Sequence, residues 1–134
     1  MPNSIVLDSY AVIAFLKKEP GYKSVAEWLA QAKDGSARLG ISVVNLGEVW
    51  YRAARWRSPK EADQIVQSLR ALEIEVIAAD WALTQIAAQY KTLGNIAYAD
   101  CFAAALAKHW NAPLVTGDRE FKQLQSEIKI LWLS

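Results

Sequence analysis

Apolar and polar positions alternate along the chain with two periods, one of strands and one of helices. Ser4-Ile5-Val6-Leu7 is a short apolar run that stops at Asp8 and reads as a buried strand. A helical pattern follows over 10–18, and Pro20-Gly21 punctuates it. A second amphipathic helix spans 22–33, with Val25, Trp28, Leu29 and Ala32 on one face. Asp34-Gly35-Ser36 makes a turn, and 38–41 is the second strand. Ser42 is placed to cap a helix over 43–56. Ser58 caps the next helix, with Pro59 at its first position and Glu61 completing a capping box; this helix reaches about 72. Glu73-Ile74-Glu75-Val76-Ile77 alternates as a half-exposed edge strand does. Asp80 caps a helix that runs to 93 and stops at Gly94. A further helix covers 96–110, a strand covers 113–116, Gly117-Asp118 opens a short helix to 124, and 128–131 is the last strand.

Strands alternating with helices predict an α/β domain around a mainly parallel sheet of about five strands. In such folds ligands bind beyond the carboxyl ends of the strands. Asp8 and Asp118 both stand directly after strands, at that edge. The chain has 134 residues, 53% of them hydrophobic, which suits a single domain over 1–134 with one core.

Composition narrows the chemistry. The net charge is +1, unlike that of a protein that coats nucleic acid, although a local basic patch beside an acidic site remains compatible with a nuclease. One cysteine, Cys101, excludes an intramolecular disulfide and a cysteine-based zinc knuckle. One histidine, His109, excludes the His-rich zinc and His-base arrangements within one chain. An enzyme built on this sequence therefore uses carboxylates, which favour hard cations such as Mg²⁺ or Mn²⁺. Met1-Pro2-Asn3-Ser4 lacks the basic and apolar regions of a signal peptide, and no apolar run approaches a membrane span. The expectation is a cytoplasmic protein without a membrane partner.

Four carboxylates stand out. Asp8 and Asp118 have an ordinary reading as helix caps. Glu48, between Leu46 and Val49-Trp50, has an ordinary reading as a solvated helix position. Asp100 is the most informative, because it is the only charged residue between Ile96 and Ala107. A helix apolar on all sides is normally buried, and a buried carboxylate needs a proton, a partner or a cation. Gathered at one sheet edge, the four would repel one another unless cations or shared protons joined them.

These residues fall in segments that resemble the PIN domain, and within it the VapC toxins of type II toxin–antitoxin modules. The segments are Ile5-Val6-Leu7-Asp8-Ser9-Tyr10-Ala11-Val12-Ile13-Ala14-Phe15-Leu16, Ile41-Ser42-Val43-Val44-Asn45-Leu46-Gly47-Glu48-Val49, Tyr98-Ala99-Asp100-Cys101-Phe102-Ala103-Ala104-Ala105-Leu106-Ala107 and Ala112-Pro113-Leu114-Val115-Thr116-Gly117-Asp118-Arg119-Glu120-Phe121. The resemblance implies a three-layer α/β/α sandwich and an endoribonuclease dependent on Mg²⁺ or Mn²⁺. It implies an acidic quartet of Asp8, Glu48, Asp100 and Asp118. The three aspartates would hold metal directly or through water, and Glu48 would be a ligand or orient the attacking water. It further implies supporting roles for Ser9 and Thr116, a small antitoxin partner and a homodimer. Ala97 stands where the family often has a capping Ser or Thr, which leaves Asn95 as the candidate cap.

Arg119 and Lys122, just past Asp118, are candidates for RNA phosphate. Arg52 belongs to an aromatic-basic stretch, Trp50 to Arg57, that is either an ordinary packed-and-solvated helix or an RNA or antitoxin contact. Cys101 reads as a small core residue, His109 as a partner of the last carbonyls of its helix, and Trp28, Trp81 and Trp132 as core or half-buried residues. Two other functions are open: a PIN-like RNA- or protein-binding scaffold without catalysis, and a phosphoryl-accepting domain with Asp8 as nucleophile. The latter lacks a second aspartate two residues on, where Tyr10 stands.

Overall fold

A computed structural model of the chain describes residues 3–133; Met1, Pro2 and Ser134, part of the expected 1–134 domain, lie outside the described residues. The elements run β1 (Asn3–Leu7), α1 (Ser9–Lys17), α2 (Tyr22–Asp34), β2 (Ala37–Ser42), α3 (Val43–Trp56), α4 (Pro59–Ala71), β3 (Ile74–Ile77), α5 (Trp81–Lys91), α6 (Tyr98–Trp110), β4 (Leu114–Thr116), a 3₁₀ helix (Arg119–Leu124) and β5 (Ile130–Trp132). Among the described residues the five strands form one sheet in the order β3-β2-β1-β4-β5, and every neighbouring pair is parallel. Parallel neighbours need crossover connections, and the helices supply them on both faces.

Alternation along the strands sorts the core into two halves. Ile5, Leu7, Leu39, Ile41 and Val115 pack with α1, α2, α3 and α4, while Val6 and Leu114 pack with α5, α6 and the 3₁₀ helix. The continuous buried run from Asp100 to Ala107 in α6 is the all-round apolar helix the sequence predicts. β2 admits α6 closely because Gly40 has no side chain: a Cβ there would stand 2.3 Å from Cη2 of Trp110. No helix among the described residues is long and apolar enough to cross a membrane.

Local capping follows the sequence at four helices. Asp8 accepts from the Ala11 N–H, Ser42 from Val44 and Asn45, Ser58 from Glu61, and Asp80 from Leu83. Three details differ. The Glu61 carboxylate accepts from the Ser58 hydroxyl at 3.2 Å rather than closing a capping box on the backbone. α5 ends at Lys91, before Gly94, and Gly94 is not left-handed; its bare Cα gives room to Gln123, whose Oε1 would lie 2.3 Å from a Cβ. Asn95 does not cap α6. Its backbone N–H donates to Gln123, and Ala97 occupies the cap without a side-chain bond.

Trp81 departs furthest from expectation. It is 71% exposed, because α5 buries Leu83, Ala87 and Tyr90 and position 81 falls on the opposite side of that stripe.

Candidate active site

The parallel sheet brings the ends of β1 and β4, which are neighbours, to one edge. Asp8 leaves β1 there, and Asp118 follows β4 two residues after Thr116. The N-terminus of α6 delivers Asp100 to the same place. Among the described residues, Asp100, Asp118 and Glu120 each offer a carboxylate oxygen, all within 4.8 Å of one another. The set grades from buried Asp100 through half-buried Asp118 to exposed Glu120, so it opens toward solvent on one side.

Asp8 lies behind this group and is 1% exposed. One of its oxygens accepts from the Ala11 N–H at 2.8 Å, and the other accepts from the Thr116 hydroxyl. The Thr116 oxygen in turn accepts from the Asp118 N–H at 3.0 Å. One threonine thus fixes both strand-end aspartates. Glu48, half-buried on α3, accepts from the Ser9 hydroxyl at 2.6 Å, which ties α3 to the start of α1. Asp118 also caps the 3₁₀ helix through the Glu120 N–H.

The electrostatics record the crowding. Burial pushes the Asp8 carboxyl up to about 7 against the lowering effect of its bonds to Thr116 and Ala11, with Asp118 and Glu48 adding repulsion. Asp100 is pushed up to about 8, first by burial, then by the charges of Asp118 and Asp8, a hydrogen bond to Glu120 and the charge of Glu48. Three hard oxygen donors converge, and the one ion pair among the described residues, Arg38–Glu75, lies on β2 and β3 instead. That donor set fits a divalent hard cation.

Two members of this surround lie in the segments that resemble the PIN domain but were assigned no role from the sequence. Glu120 joins the cluster, and its carboxylate also accepts from the Ala97 N–H at 3.5 Å. It therefore serves the α6 terminus that lacks a capping side chain. Asn45, fully buried, donates from Nδ2 to the Ala99 carbonyl at 3.0 Å and holds α3 against the residue preceding Asp100. The signal for Glu120 was its two-residue spacing from Asp118; Asn45 carried none, since its partner lies 54 residues away.

Gly117, just before Asp118, lies under an aromatic ring. Its φ is not in the left-handed region; the atoms that come close belong to the Tyr10 ring, with Cε1 2.3 Å from where a Cβ would stand. Arg119, Lys122 and Arg52 are exposed. Arg119 lies 5.5 Å from the Trp132 ring centre, and Arg52 is one helical turn beyond Glu48 on α3. In the aromatic-basic stretch, Trp50 is structural, since its indole N–H donates to Asp63 of α4. Cys101 is fully buried, and burial pushes its thiol up to about 11, which suits a core residue rather than a nucleophile.

A family model described as the PIN domain matches residues 5–127. The chain belongs to the PIN domain family. Solved structures agree with this membership over nearly the whole chain. The VapBC2 complex of Rickettsia felis bound to a DNA fragment from its promoter superposes with a TM-score of 0.77 at 20% identity, covering 98% of this chain and 99% of that one. VapC20 of Mycobacterium tuberculosis, a sarcin–ricin loop cleaving toxin, gives 0.71 at 13% identity, with 92% and 95% covered. FitAcB of Neisseria gonorrhoeae gives 0.66 at 20% identity, with 95% and 96% covered. These likenesses establish a shared PIN fold, the one used by VapC-type proteins. Comparison with curated proteins by sequence finds no match.

Proposed function

We propose that this PIN domain is a Mg²⁺- or Mn²⁺-dependent endoribonuclease acting as the toxin of a toxin–antitoxin module. The observation that carries the reading is the convergence of Asp100, Asp118 and Glu120 within 4.8 Å, backed by a fully buried Asp8. These three carboxylates form the centre of the proposed ligand set, and Asp8 and Glu48 complete it directly or through water. Bound there, a divalent cation supplies Lewis-acid polarisation of a phosphate oxygen and a water acidified for attack. Thr116 holds Asp8 and Asp118 in register, and Ser9 holds Glu48 where it can orient a nucleophilic water. Arg119, Lys122 and Arg52 are proposed to meet the RNA backbone, since guanidinium and ammonium groups pair with phosphate.

Asp8 is a poor phosphoryl acceptor, because both its oxygens are engaged and it is 1% exposed. The RNA substrate is supported by the cleaving activity named for VapC20. A small antitoxin partner is supported by the VapBC2 complex. A homodimer and a cytoplasmic site of action belong to the same reading.

The test is cleavage of RNA by the purified, antitoxin-free protein in Mg²⁺, in Mn²⁺ and in chelator, beside the Asp100→Asn variant. Metal-dependent cleavage lost in the variant is the expected result. No cleavage in either metal, or binding of RNA and protein partners that ignores the substitution, would instead support a non-catalytic scaffold.

A further inference from the structure

The acidic site poses a problem for a polyanionic substrate: its own carboxylates attract a cation but repel the RNA backbone. Part of the binding energy must come from groups that carry no negative charge. Tyr10 is such a group. It lies two residues after Asp8, flanked by buried Ser9 and Ala11, yet is 42% exposed. Its ring covers the junction between β4 and the 3₁₀ helix: a Cβ on Gly117 would stand 2.3 Å from Cε1, 2.7 Å from Cζ and 2.9 Å from Oη. Residue 117 separates Thr116, which bonds Asp8, from Asp118. The phenol ring therefore lies over the one residue between Thr116 and Asp118, at the strand-end edge that carries the acidic group.

The backbone of Gly117 does not call for glycine, since its φ lies outside the left-handed region. A side chain at 117 would have to push the ring of Tyr10 off its seat. The chain thus keeps a bare Cα beside Asp118 and a half-exposed aromatic seated upon it. An aromatic face beside a phosphate-cleaving centre stacks bases without adding charge, and unpaired RNA bases bind proteins largely in this way.

We propose that Tyr10 is a substrate-positioning residue, whose ring stacks the nucleobase next to the scissile phosphate and is held at the rim by its seat on Gly117. This inference rests on the ribonuclease reading. A ring that merely covered Gly117 would matter to stability and not to substrate affinity.

The experiment uses the full chain in Mn²⁺ with a pool of end-labelled, mixed-sequence single-stranded RNA oligonucleotides, reading KM, kcat and the distribution of cut sites. Tyr10→Ala is expected to raise KM roughly five- to a hundredfold, to leave kcat nearly unchanged and to alter the cut-site distribution. Tyr10→Leu refills the seat without an aromatic face and is expected to fold like the parent yet share the KM defect. Tyr10→Phe keeps the face and is expected to restore KM. Gly117→Ala displaces the ring and is expected to reproduce the defect, with little further effect when combined with Tyr10→Ala. Parental KM and cut sites in Tyr10→Leu would overturn the proposal, as would a Tyr10→Phe variant as defective as Tyr10→Ala. Loss of antitoxin affinity with unchanged RNA kinetics would also overturn it and assign the ring to a protein partner. A parent protein no more active than Asp100→Asn would overturn the ribonuclease reading itself.

Discussion

At the scale of single residues, Asp100 pits burial against charge. Its carboxyl is pushed up to about 8 by burial and by its acidic neighbours, so charging it in the metal-free protein is costly. Asp100→Asn removes that charge and keeps the shape. In chelator at about pH 8.5 the variant is expected to melt a few degrees above the parent, as thermal unfolding will show. In the same variant, metal-dependent RNA cleavage is expected to fall at least about a hundredfold. A residue that only capped α6 would move both readouts downward. Opposite signs would mark a group kept for a cation.

At the scale of elements, small contacts decide which strand ends and helix starts meet. Thr116 joins β1, β4 and the 3₁₀ helix through the bonds to Asp8 and from Asp118. Thr116→Val preserves the branched shape in the strand and removes both bonds. Its Mn²⁺ affinity, measured by calorimetric titration, is expected to weaken about ten- to a hundredfold. Gly40 governs another junction, where β2 meets Trp110 of α6. Gly40→Ala forces the indole aside and is expected to cost about 1–3 kcal/mol in chemical denaturation. Metal affinity should change little, because Gly40 lies away from the carboxylates. The two variants therefore separate positioning of the site from packing of the layers.

For the whole molecule, the acidic edge links folding to pH and, on the proposed function, to metal. Asp8 and Asp100 have folded values of about 7 and about 8, raised from 3.8. The folded state then holds protons that the unfolded chain has released. Their contribution to stability is fully present below about pH 4 and is lost as pH rises through about 7 and about 8. The midpoint of thermal unfolding in chelator is expected to fall across that window. Mn²⁺ held as proposed would take these groups in their charged form, so the rise in midpoint it produces is expected to be larger at pH 8.5 than at pH 6. An equal rise at both values would show that the cation binds elsewhere.

Much of this molecule was legible in one dimension. The strands, the helices and the caps at Asp8, Ser42, Ser58 and Asp80 follow from periods and spacings of a few residues, because the forces that set them act within a turn of backbone. Asp100 announced itself because a lone charge in an apolar helix conflicts with burial. What lay beyond reach involved neighbours distant along the chain. The Ser9–Glu48 bond spans 39 residues and the Thr116–Asp8 bond 108. Asn45 under Ala99, Glu120 at Ala97, and Tyr10 over Gly117 likewise join separate segments. The sequence by itself determined the elements and singled out Asp100 and Asp118, two of the three clustered carboxylates. Only the tertiary structure decided who stands beside whom, because the strand order β3-β2-β1-β4-β5 brings distant chain segments together, and burial and charge are properties of that assembled neighbourhood.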